Sequence, residues 1–264
     1  MPSDVTGMGR PGRLQAVVLH GACIAAVLAA WEAASHLGWL PRLLLPAPTM
    51  IAAEIGRLAA NGELVRHTAA TLSRVFIGLA LGGAAGALAG LAMGWSRRAR
   101  SLGDPLVAAT YPIPKIAVLP LIMVLFGIGN LTKVIVIAVS AFFPMLISAM
   151  AGVAEISPIH FEVARNCGAN PRKVFTRVVL PGSLPLLLTG VRLALNTALL
   201  LAIAVELVLT KNGLGSMIWL AWQTLRVETL YASLLVISAL GIACNGLLQY
   251  LSARLVPWQQ QRTV

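Results

Sequence analysis

Apolar residues along this sequence fall into six long runs, which are separated by shorter and more polar segments. A helix needs about 20 apolar residues to cross the hydrocarbon core of a bilayer, so each run is long enough for one crossing. The pattern predicts an all-α integral membrane protein with six transmembrane helices and both chain termini on the same side. The predicted spans are Leu14 to Ala34, Val75 to Trp95, Leu106 to Phe126, Val134 to Val153, Leu184 to Leu209 and Leu230 to Leu255.

The basic residues between the runs indicate the orientation. With a cytoplasmic N-terminus, eleven arginine and lysine residues fall in the inside segments and seven in the outside segments. Because cytoplasmic loops carry the excess of Lys and Arg, both termini are predicted to be cytoplasmic. The net charge of +11 is then explained by basic residues in the loops between the spans, which orient the chain and attract anionic lipid. No nucleic-acid partner is expected.

A polar and basic segment from Ser157 to Gly190 joins the fourth and fifth runs and faces the cytoplasm in this orientation. Ser157, followed by proline, is typical of a helix start, and Gly168 is placed to end that helix. Asn170, again followed by proline, starts a second helix, which Pro181 is predicted to end. The segment is therefore predicted to be a helical hairpin that docks a partner, with Ile159 on an apolar face.

Glycine recurs at every fourth position of the second span. Residues four apart share one helix face, so a neighbouring helix is expected to approach this backbone closely. The five glycines are Gly78, Gly82, Gly86, Gly90 and Gly94.

The third span contains Pro112, Pro114 and Pro120, which predict a kink because proline cannot donate a helical hydrogen bond. The kink fits a helix beside a cavity as well as a packed structural bend. Lys115 is expected to extend towards the headgroups. In the first outside loop, Thr49 is predicted to cap a short amphipathic helix that ends near Ala60 and lies at the membrane interface.

The fifth span carries four polar side chains that are candidates for lining a translocation path, because ionisable groups inside a membrane usually face a bundle interior or water. Arg192 and Glu206 lie near the two ends of the span, where interfacial water is the alternative environment. The candidates are Arg192, Asn196, Thr197 and Glu206.

Signatures of catalysis are absent from the sequence. It contains no phosphate-binding loop of the form G-x-x-x-x-G-K-[ST], no metal-ligand spacing among its histidines and cysteines, and no serine nucleophile motif. An enzyme is therefore not expected, nor a cofactor or metal bound by this chain. The halves of the chain do not resemble each other as the repeats of many secondary transporters do, which favours a transport subunit driven from outside over a stand-alone ion-coupled carrier.

Several separate motifs resemble one family. Glu162-Val163-Ala164, with Gly168 six residues after the glutamate and then Leu180-Pro181, is similar to the E-A-A-x-x-x-G … L-P loop of ABC importer permeases. Val163 departs from the usual alanine but stays apolar. The remaining motifs resemble the permeases of the nitrate, sulfonate, taurine and bicarbonate group. They are LPAPT from Leu45, HTAATLSRVFIG from His67, DPLVAATYPIPKIAVLPLIMVLFGIGN from Asp104 and GLGSMIW from Gly213.

The resemblance implies the type I importer permease fold, in which the loop between spans four and five carries a coupling helix. It implies residues 1–66 as a tail, first span and outer loop, 67–255 as the transmembrane domain with its coupling loop at 154–183, and 256–264 as a cytoplasmic tail. Expected partners are two copies of an ATP-consuming cytoplasmic ATPase, a second permease chain as a homodimer, an extracytoplasmic substrate-binding protein and the lipid of a bacterial inner membrane. Glu162, Val163, Ala164, Gly168, Leu180 and Pro181 are expected to form the ATPase contact.

Overall fold

A computed structural model describes residues 13–38, 41, 44–209 and 211–256, and all regular structure within them is helical. Residues 1–12, within the predicted N-terminal tail, and residues 257–264 of the predicted tail 256–264 lie outside the described residues. The helices are α1 Arg13–His36, α2 Pro48–Ala60, α3 Glu63–Trp95, α4 Arg97–Thr110, a 3-10 helix Lys115–Val118, α5 Leu119–Phe126, α6 Asn130–Ala154, α7 Pro158–Asn166, α8 Pro171–Val174, a π-helical turn Phe175–Val179, α9 Leu180–Leu209, α10 Leu214–Gln223 and α11 Val227–Leu255.

Four helices of the described chain are long and apolar enough to cross a membrane, namely 63–95, 130–154, 171–208 and 227–255. A fifth crossing is added if α4 and the helical pair 115–126, which meet at 88°, count as one broken span. Helix α1 covers the first predicted run with 24 residues. The all-helical prediction is confirmed, and these elements are compatible with six spans.

Helices α3, α6 and α9 pack together and form the main core. Every glycine of the predicted stripe faces α6, and a Cβ atom added at any of them would lie less than 3.0 Å from an α6 atom. At Gly82 the obstacle is the carbonyl oxygen of Ala138, at 1.9 Å, and at Gly90 it is the carbonyl oxygen of Leu146, at 2.2 Å. The two backbones therefore touch along the stripe, and only glycine leaves room for this packing.

Helix α3 begins twelve residues earlier than the predicted span, at Glu63 instead of Val75. The difference has a physical reason: three polar side chains of this first stretch, those of His67, Thr71 and Arg74, are buried inside the protein. His67 and Arg74 are both less than 10% exposed and have hydrogen-bond partners on the segment after α9. Because these polar side chains have hydrogen-bond partners inside the protein, this stretch extends helix α3 instead of forming a loop.

The third predicted span is broken at Tyr111 to Pro114, between α4 and the 3-10 helix. Pro112 and Pro114 lie in the break, whereas Pro120 lies in the first turn of α5, where its missing N–H costs no helical bond. The break opens onto a cavity of about 640 Å³, so the structure favours a kink beside a cavity over a packed bend. This bend cavity is lined by Tyr111, Pro112, Ile113, Pro114, Lys115, Ile116, Ser140, Phe143, Pro144, Thr197, Leu200, Leu201 and Ala204.

Helix α2 corrects the prediction for the outer loop. It ends at Ala60 as predicted, but its N-cap is Ala47 with proline at the first helical position. Thr49 instead donates its hydroxyl to a carboxylate oxygen of Glu32 at 2.6 Å. Ile51 is fully buried in a cluster with residues of α10 and α11, so α2 is packed into the protein and does not rest on the bilayer alone.

Candidate functional site

Helix α7 is a short, well-bounded helix between the membrane-spanning helices α6 and α9. Ser157 takes the N-cap position before Pro158, although its side chain makes no capping hydrogen bond. Gly168 adopts a φ of +70°, its N–H donates to the Arg165 carbonyl at 2.9 Å, and the Ala169 N–H donates to the Ala164 carbonyl at 3.0 Å. These two bonds form a Schellman motif. The prediction that Gly168 ends this helix is confirmed.

One face of α7 presents apolar side chains to the exterior. Ile159 is 57% exposed and Val163 is 54% exposed, and they lie one helical turn apart. Glu162 is exposed beside them, while Ala164 is half-buried. An apolar pair next to a carboxylate on a short exposed helix is a surface suited to docking another protein.

The opposite face of α7 is fixed to the membrane helices through aromatic side chains. Trp95, the last residue of α3, has its ring centroid 6.2 Å from that of Phe161 in α7 and 6.1 Å from that of Phe175. Such pairs stabilise by about 0.5 to 1.5 kcal/mol beyond burial. Sequence reasoning missed Trp95, because an aromatic residue at the end of a span is equally typical of an interfacial belt.

The second predicted helix of the hairpin begins as expected but does not end at Pro181. Asn170 caps it, accepting from the Lys173 N–H at 2.9 Å, and the helix then runs without interruption from Pro171 to Val208. A π-helical turn at Phe175–Val179 lies one residue before Pro181. This wider turn accommodates the proline ring, which would clash with a carbonyl in a regular α-helix. The hairpin prediction is therefore wrong at this boundary.

Because of this continuity, Leu180 and Pro181 lie in the first turn of α9, where both are exposed. They belong to the N-terminal part of the continuous helix 171–208 and not to a separate docking helix. Helix α7 is connected to this helix along the chain by the short turn between Gly168 and Pro171, and through space by Trp95, which contacts both Phe161 and Phe175.

The path candidates of α9 face two different sides. Thr197 lies on the bend cavity. Asn196 instead accepts a hydrogen bond at 2.7 Å from the side-chain amide of Asn245 on α11, and Arg192 lies beside Asn245 in a shallow groove along α11. The structure brings Asn196 and Arg192 together but separates them from Thr197.

Glu206 does not line a path in this structure and does not reach interfacial water. Its side chain is 1% exposed, and one carboxylate oxygen accepts from Arg74 at 2.5 Å. The other oxygen accepts from the hydroxyl of Thr71 at 2.8 Å and from the N–H of Gly215 at 3.1 Å. The carboxylate is satisfied by groups of α3 and the start of α10, which physically explains why it can be buried.

Glycine at position 213 makes room for this ion pair. Its φ is +129°, and a Cβ atom there would lie 2.3 Å from the carboxyl carbon of Glu206. The Gly213 N–H donates to Nδ1 of His67 at 3.0 Å. Sequence reasoning missed this network. Its signal was the spacing of His67, Thr71 and Arg74, which places them near one face of a helix, together with an intramembrane glutamate that needs a partner.

Lys115 has contacts at the bend that the sequence did not predict. Its ammonium group donates to the backbone carbonyl of Tyr111 and lies 4.9 Å from the Tyr111 ring centroid and 4.6 Å from that of Phe143. The side chain is therefore held at the wall of the bend cavity.

Comparison with known proteins gives consistent matches. The family described as "Binding-protein-dependent transport system inner membrane component" matches residues 82–258. The taurine transport system permease protein TauC of Escherichia coli (strain K12) is 32% identical over 247 residues, which cover 92% of this chain and 90% of TauC. SsuC of Bacillus subtilis (strain 168), a permease protein assigned to aliphatic sulfonates transport, is 30% identical over 251 residues, covering 95% of this chain and 91% of SsuC.

A similar fold occurs in a chain from an inward-facing structure of the MetNI methionine ABC transporter. It superposes with a TM-score of 0.62 at 22% sequence identity, over 74% of this chain and 94% of that chain. At this level of identity the likeness establishes the fold alone.

Proposed function

The chain belongs to the family of inner-membrane components of binding-protein-dependent transport systems, and we propose that α7 is the surface through which a cytoplasmic ATPase drives it. The protein is a multi-pass permease subunit of an ABC importer. The observation that supports the proposal is the exposed face of α7, where Ile159 and Val163 present apolar surface beside Glu162. Gly168 fixes the direction in which the chain leaves α7.

The frame around α7 is suited to transmitting a movement. Trp95 joins α7 to the end of α3 and to the cytoplasmic extension of α9. The Schellman turn at Gly168 and the cap at Asn170 leave only a short connection between α7 and that extension. A push on α7 would therefore move α3 and α9 as packed bodies, as in the rigid-body transitions of other switching proteins.

The proposed assembly contains two permease chains as a homodimer, two ATPase subunits that bind and hydrolyse ATP, and an extracytoplasmic binding protein. In this assembly both termini and α7 face the cytoplasm, as the distribution of basic residues indicates. The ATPase cleft would receive Glu162, Val163, Ala164 and Gly168, with Leu180 and Pro181 beside them at the start of α9.

The proposed cargo is a small anionic solute of the sulfonate or taurine type. The support comes from the names of TauC and SsuC, each at least 30% identical over more than nine-tenths of this chain. Thr197 is the candidate path residue of α9 that lies on the bend cavity.

The test uses two substitutions at one position. A left-handed conformation costs most residues roughly 1–2 kcal/mol, whereas asparagine tolerates it. The surroundings of Gly168 are open, with no atom within 4 Å of an added Cβ, so conformation and not crowding decides the outcome. We expect Gly168→Val to lower ATP-driven uptake of taurine or butanesulfonate by about tenfold at unchanged membrane levels, and Gly168→Asn to retain most of the uptake. Wild-type uptake by Gly168→Val would contradict the role of this turn.

A second pair of variants tests the docking face itself. Val163→Asp places a charge in the apolar patch and should abolish co-purification with the ATPase. Gln223, the exposed last residue of α10 at the opposite end of α9 from α7, provides a control, because Gln223→Asp should leave co-purification intact. Equal retention of the ATPase by both variants would count against α7 as the contact.

A further inference from the structure

The bend cavity combines apolar walls with one cationic group. Among its lining residues only Lys115 is charged, and Leu200 and Leu201 of α9 contribute aliphatic wall opposite the bend. Lys115 is half-buried, and partial removal of an ammonium group from water is unfavourable unless other groups compensate for it.

The hydrogen bonds of Lys115 leave donors available. An ammonium carries three N–H groups, and the bond to the Tyr111 carbonyl uses one of them. The rings of Tyr111 and Phe143 lie within 5 Å of the nitrogen and stabilise its charge. In the part of the chain that the structure describes, no carboxylate lies within ion-pair distance of Lys115.

Two aliphatic hydroxyl groups on the same cavity, those of Ser140 and Thr197, already donate to backbone carbonyls. Ser140 donates to the Ile137 carbonyl at 2.7 Å, and Thr197 donates to the Ala194 carbonyl at 3.0 Å. Lys115 is the charged group on this wall and has unassigned donors, so a ligand that occupies the cavity would meet a single positive charge.

We propose that the bend cavity binds a small organic anion, with its acidic head group on Lys115 and its apolar body against Leu200 and Leu201. The proposal rests on the proposed transport of sulfonate-like solutes and assigns that cargo a site within this chain. A volume of about 640 Å³ lies within the range of small-molecule sites, about 300 to 1,000 Å³. A small inorganic anion would find one donor group and gain nothing from the aliphatic walls, whereas an alkanesulfonate gains from both.

The experiment measures uptake of radiolabelled butanesulfonate by the complete transporter in vesicles of phosphatidylcholine. Loss of a charge-assisted hydrogen bond typically weakens binding by at least about tenfold. We expect Lys115→Gln to lower uptake by about that factor and Lys115→Arg to keep it within about threefold of wild type. Arg254→Gln serves as the matched control, because it removes one exposed positive charge at the far end of α11 and should leave uptake unchanged.

A chemical rescue separates charge from packing. In a chain with Cys23, Cys167 and Cys244 replaced by serine, Lys115→Cys should lose uptake, regain it after reaction with aminoethyl methanethiosulfonate, and remain inactive after the uncharged methyl reagent. A merely structural lysine would not distinguish the two reagents. Wild-type uptake by Lys115→Gln, or equal rescue by both reagents, would overturn the proposal.

Two further outcomes are distinguishable from these. If the wild-type complex takes up neither taurine nor butanesulfonate, the proposed cargo is refuted and this site falls with it. If the effect of Lys115→Gln arises only when phosphatidylglycerol is added to the vesicles, the cavity holds a lipid head group and the proposal is overturned.

Discussion

The glycine stripe of α3 allows a sharp test of how the core is built. Adding one methyl group at Gly82 would put the new Cβ 1.9 Å from the carbonyl oxygen of Ala138, whereas real Cβ atoms stay at least 3.0 Å from such atoms. The helices would have to separate locally by about 1.1 Å, the difference between these two distances. The obstacle is backbone, so no side-chain rotation relieves it.

The cost of Gly82→Ala follows from this geometry. Overpacking a core typically lowers the free energy of unfolding by about 1–3 kcal/mol. Because the obstacle here is fixed backbone, Gly82→Ala is expected to lose about 3 kcal/mol. Separation of α3 from α6 would also loosen Val75 and Ile137, which are completely buried at this contact. For a chain of this size the loss corresponds to a Tm lower by about 6 to 12 °C.

The neighbouring glycine provides the control. A Cβ at Gly83 would meet only the Cδ1 atom of Leu79, at 3.7 Å, an ordinary contact. Gly83→Ala should therefore keep the wild-type Tm or raise it slightly, because alanine favours helix over glycine. Both variants would be measured by thermal unfolding of the permease in one detergent. Equal Tm values for Gly82→Ala and Gly83→Ala would refute the close packing of the two backbones.

Three further predictions concern other parts of the molecule. Glu206→Gln should lower the Tm by an amount equivalent to about 3 kcal/mol, because it leaves the buried Arg74 without its counter-charge; a shift below 2 °C would contradict this. Trp95→Ala should uncouple ATP hydrolysis from uptake while membrane insertion remains normal. Unchanged coupling would show that the contact between Trp95 and Phe161 is not needed for coupling. The hydrogen bond from Arg57 lowers the pKa of the Glu54 carboxyl in α2, so the stability it adds is present near neutral pH and lost as pH falls through the lowered pKa. The Tm difference between wild type and Glu54→Ala should therefore shrink between pH 7 and about pH 3, and a constant difference would contradict the ion pair.

The sequence predicted the features that depend on local chemistry. Gly168 ends α7 with the expected left-handed turn, and Asn170 caps the following helix. Both outcomes depend on a few neighbouring residues, whose backbone preferences are strong. The apolar runs also predicted the long helices, because the length of a membrane-spanning helix is set by the thickness of the bilayer.

The sequence did not predict features that depend on distant partners. Pro181 is a helix breaker by its own chemistry, and only the π-helical turn before it allows the helix to continue. Glu206 alone resembles a path residue, because its partner Arg74 lies 132 positions earlier in the chain. The side of α9 on which Asn196 and Thr197 lie could not be derived from the span itself, since both are polar and adjacent.

The central claim is that this chain transports only when an ATPase drives it through α7. The direct measurement is uptake of radiolabelled taurine and butanesulfonate into proteoliposomes that contain the permease alone, or the permease with its ATPase and binding protein. We predict uptake of at least one of these solutes in the complete system with ATP on the ATPase side, and none when ATP or either partner is omitted. Accumulation by the permease alone on a proton or sodium gradient would contradict the account and would identify an ion-coupled carrier.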